Sequence, residues 1–148
     1  MAFYPIAFAM DGDVWLVTSP DFPEVTTFGT TQEEGARHAL DAIEEAIAAR
    51  MADGQMLPAP HDGADCGQYA VQMPLMSVLK SWLYMICKLD GISRAELQRR
   101  LGVGRETVDR LFRLDHNSKL DQLERAFKAV GSPLELGPTG RSWSDQAA

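Results

Sequence analysis

A chain of 148 residues with 45% hydrophobic and 24% charged side chains has the make-up of one or two globular domains and not of a disordered polymer. No run approaches the roughly 20 apolar residues that cross a bilayer, and the most apolar stretch, residues 75–89, is interrupted by Lys80 and Lys88. The net charge of −7 conceals a division: residues 1–70 carry 12 acidic and 2 basic side chains, whereas residues 71–148 carry 9 and 12. The first part therefore suits a cationic partner and the second can approach phosphate.

Cys66 and Cys87 have neither metal-ligand spacing nor the density of a disulfide scaffold, so both read as plain thiols. No basic start followed by an apolar run marks a secretory signal, and the expected location is cytoplasmic, with no membrane partner.

Residues 3–10 and 14–18 are runs of aromatic, β-branched and other apolar residues, the composition of strands. Asp11-Gly12 between them predicts a two-residue hairpin turn with both central residues at positive φ. A third strand is predicted over residues 25–28, reached through Ser19-Pro20-Asp21-Phe22-Pro23, whose prolines cannot donate ladder hydrogen bonds. Thr31 followed by Glu34 has the spacing of a capping box and opens a helix. Ala36, Ala39, Leu40, Ile43 and Ile47 recur on one face of it, and Asp53-Gly54 ends it. Pro58, Pro60, Gly63 and Gly67 mark a loop, and residues 69–73 offer a fourth strand. The predicted order is β-β-β-α-β, an α+β layer of helix on sheet over residues 1–73.

From Pro74 the pattern is helical. Residues 75–89 predict a largely buried helix closed by Gly91. Ser93 and Glu96 form a second capping box and open a short helix through Leu101, Gly102-Val103-Gly104 makes a turn, and a further helix runs from Arg105 to about Leu114. Ser118 with Asp121 starts another, which Gly131 ends, and residues 134–136 suggest a short terminal strand. The polar, glycine- and serine-containing residues 138–148 predict a poorly ordered tail beyond an all-α module over residues 74–137.

The segment from Ser93 to Leu111 resembles the helix-turn-helix of Cro and Xre-type repressors. Ala95, Leu97, Leu101, Val103, Val108 and Leu111 hold the two helices, Gly102 allows the turn, and six arginines from Arg94 to Arg113 supply phosphate neutralisation. The resemblance implies that Arg105, Glu106 and Arg110 face base edges and that Arg94 lies near the DNA backbone. Gln98 departs from the pattern, since such repressors carry a small residue there.

The order of Ser19-Pro20-Asp21-Phe22-Pro23, Phe28-Gly29-Thr30-Thr31-Gln32-Glu33-Glu34-Gly35, Ala39-Leu40 and Gly54-Gln55-Met56-Leu57-Pro58 resembles the HicB antitoxin family over nearly the whole chain. Gly35 stands where that family commonly has alanine, a local helix cost of roughly 1 kcal/mol. The resemblance implies a partial RNase H-like module that binds HicA, a small ribonuclease, and a C-terminal module that represses the operon as a homodimer or larger assembly on operator DNA. The patch expected to meet the toxin runs from Asp21 through Phe22 and Glu24 to Asp41, Glu44 and Glu45, where an aromatic ring stands among carboxylates; the alternative is that Phe22 is a core residue.

Two other functions compete. A one-component regulator would bind a small molecule in its N-terminal part. A metal-dependent nuclease would gather Asp11, Asp13 and Asp21 around a divalent ion, but turns already account for Asp11 and Asp21. His38, His61 and His116 are scattered and have no nucleophile beside them in sequence. The expectation is therefore no enzyme, no cofactor and no metal.

Overall fold

A computed structural model describes residues 1–135 and 137. The architecture is mixed, with small antiparallel sheets followed by helices. The first apolar run is not one strand: β1 (Phe3–Pro5) pairs with β5 (Ala70–Gln72), and β2 (Ala7–Asp11) pairs with β3 (Val14–Thr18). The chain changes sheets at the buried Ile6, directly after Pro5. Proline has no N–H to give to either neighbour, so it sits where the ladder changes partner. The Pro5 carbonyl accepts the buried Ser19 hydroxyl at 3.2 Å.

The hairpin turn lies one residue later than its Asp-Gly signal suggests. Asp11 still pairs with Val14, and the loop is Gly12-Asp13. Only Gly12 takes positive φ (63°), as the first position of a II′ turn requires. β4 (Thr26–Gly29) completes the order β2-β3-β4.

Helix α1 (Gln32–Ala52) begins at Thr31, whose hydroxyl accepts the Glu34 N–H at 3.1 Å. The Glu34 carboxylate reaches back one residue beyond the cap, to the Thr30 N–H at 2.7 Å and hydroxyl at 2.6 Å. These bonds hold its carboxyl below the usual range. Ala39, Ile43, Ala46, Ile47 and Met51 are buried against the sheets with Val17, Phe22 and Val25.

Helix α2 (Leu75–Leu89) has the predicted bounds, yet one of its faces is open: Leu75, Trp82 and Leu89 are exposed while Leu79, Leu83 and Cys87 are buried. It bonds to the first part of the chain through Ser77 to Glu44, the Tyr84 hydroxyl to the Gln55 carbonyl (2.7 Å) and Lys88 to the Gly54 carbonyl. One apolar core runs from Tyr4 to Val130.

Helices α3 (Arg94–Leu101) and α4 (Arg105–Leu111) follow, joined by three residues. α4 stops three residues short of the predicted Leu114, and the Lys80 ammonium reaches the Arg110 carbonyl in its last turn and the Arg113 carbonyl beyond it. Helix α5 (Leu120–Ala129) is preceded by Lys119, not capped by Ser118, whose hydroxyl turns inward to the Arg110 carbonyl at 3.5 Å. Leu134 and Glu135 belong to no strand; Leu136 and the predicted tail, 138–148, lie outside the described residues.

Candidate functional site

The arginine-bearing surface is built on α3 and α4. Ser93 caps α3 by accepting the Glu96 N–H at 3.1 Å. The Glu96 carboxylate is left free to hold Arg99 (2.6 Å) and Arg100 (2.9 Å), which depress its carboxyl below the usual range. The buried Leu97, Val108 and Leu111 fix α3 on α4, and Gln98 is partly buried at that junction.

Each of the four residues expected to meet DNA is on this surface, but they are not equally available. Arg94 donates to Asp109 at 2.8 Å and lies 5.0 Å from the centre of the Phe112 ring. Arg110 is paired with Glu106 one helical turn away. Arg105 is the least committed: its side chain is 87% exposed and stands 3.7 Å from Asp109. Asp109 thus links Arg94 to Arg105, a role visible only as an i,i+4 spacing on the second helix.

On the acidic side, the patch expected from the sequence is only partly assembled. Phe22 is no surface anchor: it is 0% exposed, with its ring edge-on to Tyr4 at 4.9 Å and under the Arg50 guanidinium at 4.8 Å. The turn between Pro20 and Pro23 folds the ring inward beneath the sheets. Glu24 is held by Arg50 through two bonds of 2.7 and 2.8 Å, and this pairing lowers its carboxyl. Asp21 faces His61 at 2.9 Å, a contact between loops 40 residues apart. Glu44 accepts the Ser77 hydroxyl, a contact between helices. Asp41 and Glu45, one turn apart and exposed on α1, have neither an ion pair nor a side-chain hydrogen bond among the described residues.

An apolar row that no local sequence pattern marks lies on the sheet. The strand register sets Ala9, Leu16 and Phe28 abreast, and Phe28 is exposed. Strand alternation turns them away from α1, which meets Val17 on the other face. Arg50, His61 and Asp109 were missed as well, since their partners lie outside the local patterns that reveal helices and turns.

Asp11, Asp13 and Asp21 do not come together: among the described residues no group of three or more His, Cys, Asp or Glu side chains can hold a metal ion. Both cysteines are buried, and burial pushes the Cys87 thiol up to about 11. Among the described residues no helix is long and apolar enough to cross a membrane. An apolar cavity of about 200 Å³ lies between α2 and the loop 57–60, lined by Tyr4, Ile47, Leu57, Met73, Trp82 and Met85 among others.

Comparison with known proteins gives a consistent result. Residues 3–82 match the family described as the HicB-like antitoxin of bacterial toxin-antitoxin systems. Antitoxin HicB of Pseudomonas fluorescens (strain Pf0-1) is 36% identical across 84% of this chain and 85% of its own length. Antitoxin HicB 2 of Photorhabdus laumondii subsp. laumondii is 34% identical across 90% and 94%. Antitoxin HicB of Escherichia coli (strain K12) is 31% identical across 82% and 88%.

Proposed function

Because the chain belongs to the HicB-like antitoxin family of bacterial toxin-antitoxin systems, we propose that it neutralises a small HicA-like ribonuclease through its acidic first part and represses its own operon through α3 and α4. Membership makes it a regulator and not an enzyme. The observation that carries the reading is the match over most of the chain to relatives called antitoxins. Residues 1–73, as a partial RNase H-like module, are assigned to the toxin and residues 74–137, as a helix-turn-helix module, to DNA, in a cytoplasmic protein.

Neutralisation is assigned to the exposed carboxylates of Asp41 and Glu45, while Asp21, Glu24 and Glu44 shape the surface through their own pairs. Phe22 supports that surface from below. Opposite charges speed encounter and set register. In the full chain, Asp41→Lys with Glu45→Lys is expected to slow association with the ribonuclease encoded beside it by about tenfold, and to flatten the salt dependence. Stopped-flow binding at low and high salt measures both. Unchanged association in the double variant would remove α1 from the interface.

DNA reading is assigned to Arg105, with Arg110 and Glu106 as a paired unit and Arg94 at the phosphates. Two copies of the motif, a homodimer or larger, would read half-sites about one helical turn apart. Arg105→Ala should weaken binding to the DNA upstream of the gene by about 1–3 kcal/mol, with little effect on scrambled DNA. Arg94→Ala should weaken both alike. Titrations on the two DNAs separate the roles, and equal losses for Arg105→Ala would refute base reading.

The apolar cavity favours a second reading, a one-component regulator that takes a small apolar effector there. A basic reading frame of under about a hundred residues beside this gene supports the antitoxin, and its absence supports the regulator.

A further inference from the structure

Lys80 is the most unusual charge in the molecule. It sits mid-way along α2 among Leu79 and Leu83 and is 0% exposed. A lysine placed there loses its hydration and needs strong compensation. Among the described residues no carboxylate forms an ion pair with it. Its ammonium donates instead to the carbonyls of Arg110 (2.9 Å), Arg113 (2.6 Å) and His116. Three acceptors match its three N–H bonds.

Those acceptors have one location. Arg110 is in the last turn of α4, and Arg113 and His116 lie in the irregular stretch that follows it. Helix C-termini leave carbonyls without intrahelical donors, and a cation there also meets the negative end of the helix dipole. An apolar side chain of similar length could fill the volume, but among the described residues the His116 carbonyl would lose its one donor, and the Arg110 and Arg113 carbonyls would keep only long bonds of 3.3–3.5 Å from the turns that follow. Asp115 and Arg113, whose charges act on the ammonium in opposite senses, bond to each other at 2.8 Å. Burial lowers the lysine's proton affinity, with Asp115 opposing the effect.

We propose that Lys80 is the positioning residue for DNA reading: by closing the end of α4 with three carbonyl bonds, it fixes the axial position and roll of that helix on α2, and so the presentation of Arg105 and Arg110. Lys80 touches no DNA itself. The inference rests on the DNA-binding reading above and gives it a structural requirement.

The test uses the full chain with the DNA immediately upstream of its gene and a scrambled duplex of equal length. Lys80→Met is expected to lose about tenfold or more in affinity for the upstream DNA while changing little on the scrambled duplex, because phosphate contacts tolerate a misplaced helix and base contacts do not. Toxin inhibition by the same preparation should be intact. Lys80→Arg, which keeps the donors, should recover part of the loss.

A measurement on the unsubstituted protein covers the case in which either variant fails to fold. The Lys80 ammonium should give a slowly exchanging 1H–15N signal near neutral pH that shifts on addition of the upstream duplex and not the scrambled one. Lys80→Met that discriminates the two DNAs as the natural chain does, or an ammonium signal that does not respond to the upstream duplex, would overturn the inference alone. A natural chain that cannot tell the two DNAs apart would overturn the DNA reading, and this inference with it.

Discussion

Replacing Phe22 by alanine is expected to cost about 3–5 kcal/mol of stability and to lower Tm by roughly 10 °C or more. The ring is fully buried and packs edge-on against Tyr4 at 4.9 Å, while the Phe22 carbonyl accepts the Val25 N–H at 2.9 Å and so ties the turn to the residue that enters β4. Tyr4 is anchored in turn, its hydroxyl donating to the Pro58 carbonyl at 2.8 Å, and burial pushes its phenol up to about 12. Removing the ring therefore opens a cavity at a point where β1, the turn and the loop after α1 meet. Arg50, which lies over the ring and holds Glu24, loses its apolar support as well. Urea titration with toxin inhibition measured in parallel separates the two roles of Phe22. A variant of unchanged stability that no longer inhibits the toxin would return Phe22 to the interface and contradict its burial.

Phe22 also shows what local sequence can and cannot encode. Turn chemistry between Pro20 and Pro23 locates the loop but does not say which way the ring points, because its packing partners, Tyr4 and Arg50, are 18 and 28 positions away. The same limit explains the split first strand: composition makes residues 3–10 extended, whereas the exchange of partners at Ile6 depends on β5, more than sixty residues later. Helix bounds fare better where they rest on local signals. Thr31 and Ser93 each place an N-cap that the structure keeps, and α2 has the bounds its apolar pattern predicts. The signal fails at Ser118, whose hydroxyl has a tertiary acceptor in the Arg110 carbonyl that competes with capping. Lys80 was legible only as an interruption of an apolar run. That lysines in such runs mark either an exposed face or a buried, bonded charge is decided by the fold, and α2 contains both cases: Lys88 is exposed and Lys80 is not.

Gly29→Ala should destabilise the protein by about 3 kcal/mol or more, through sterics alone. The backbone at Gly29 is not in the positive-φ region, so alanine meets no dihedral penalty there. A Cβ added at this position would stand 2.3 Å from the Gly35 nitrogen, 2.7 Å from the Gly35 Cα and 2.8 Å from the Thr31 carbonyl oxygen. All three are backbone atoms of the first turn of α1 and its cap, so relief requires the helix start to lift off β4. That movement strains the Thr31 cap and the Glu34 bonds to Thr30 together. Gly35→Ala is the informative comparison. Its Cβ would stand 2.8 Å from the Val17 Cγ2 and 3.3 Å from the Phe8 Cε1, both side-chain atoms, and alanine gains about 1 kcal/mol of helix propensity over glycine. Its net loss should be smaller, and Val17→Ala, by removing the obstructing methyl, should make Gly35→Ala less costly than it is in the natural background. No such relief is open to Gly29→Ala, whose obstruction is backbone. Chemical denaturation of the two single variants and of each combined with Val17→Ala reads the difference directly. Rescue of Gly29→Ala by Val17→Ala would show that the sheet and helix are held apart by side chains and not by the contact of β4 with the first turn of α1.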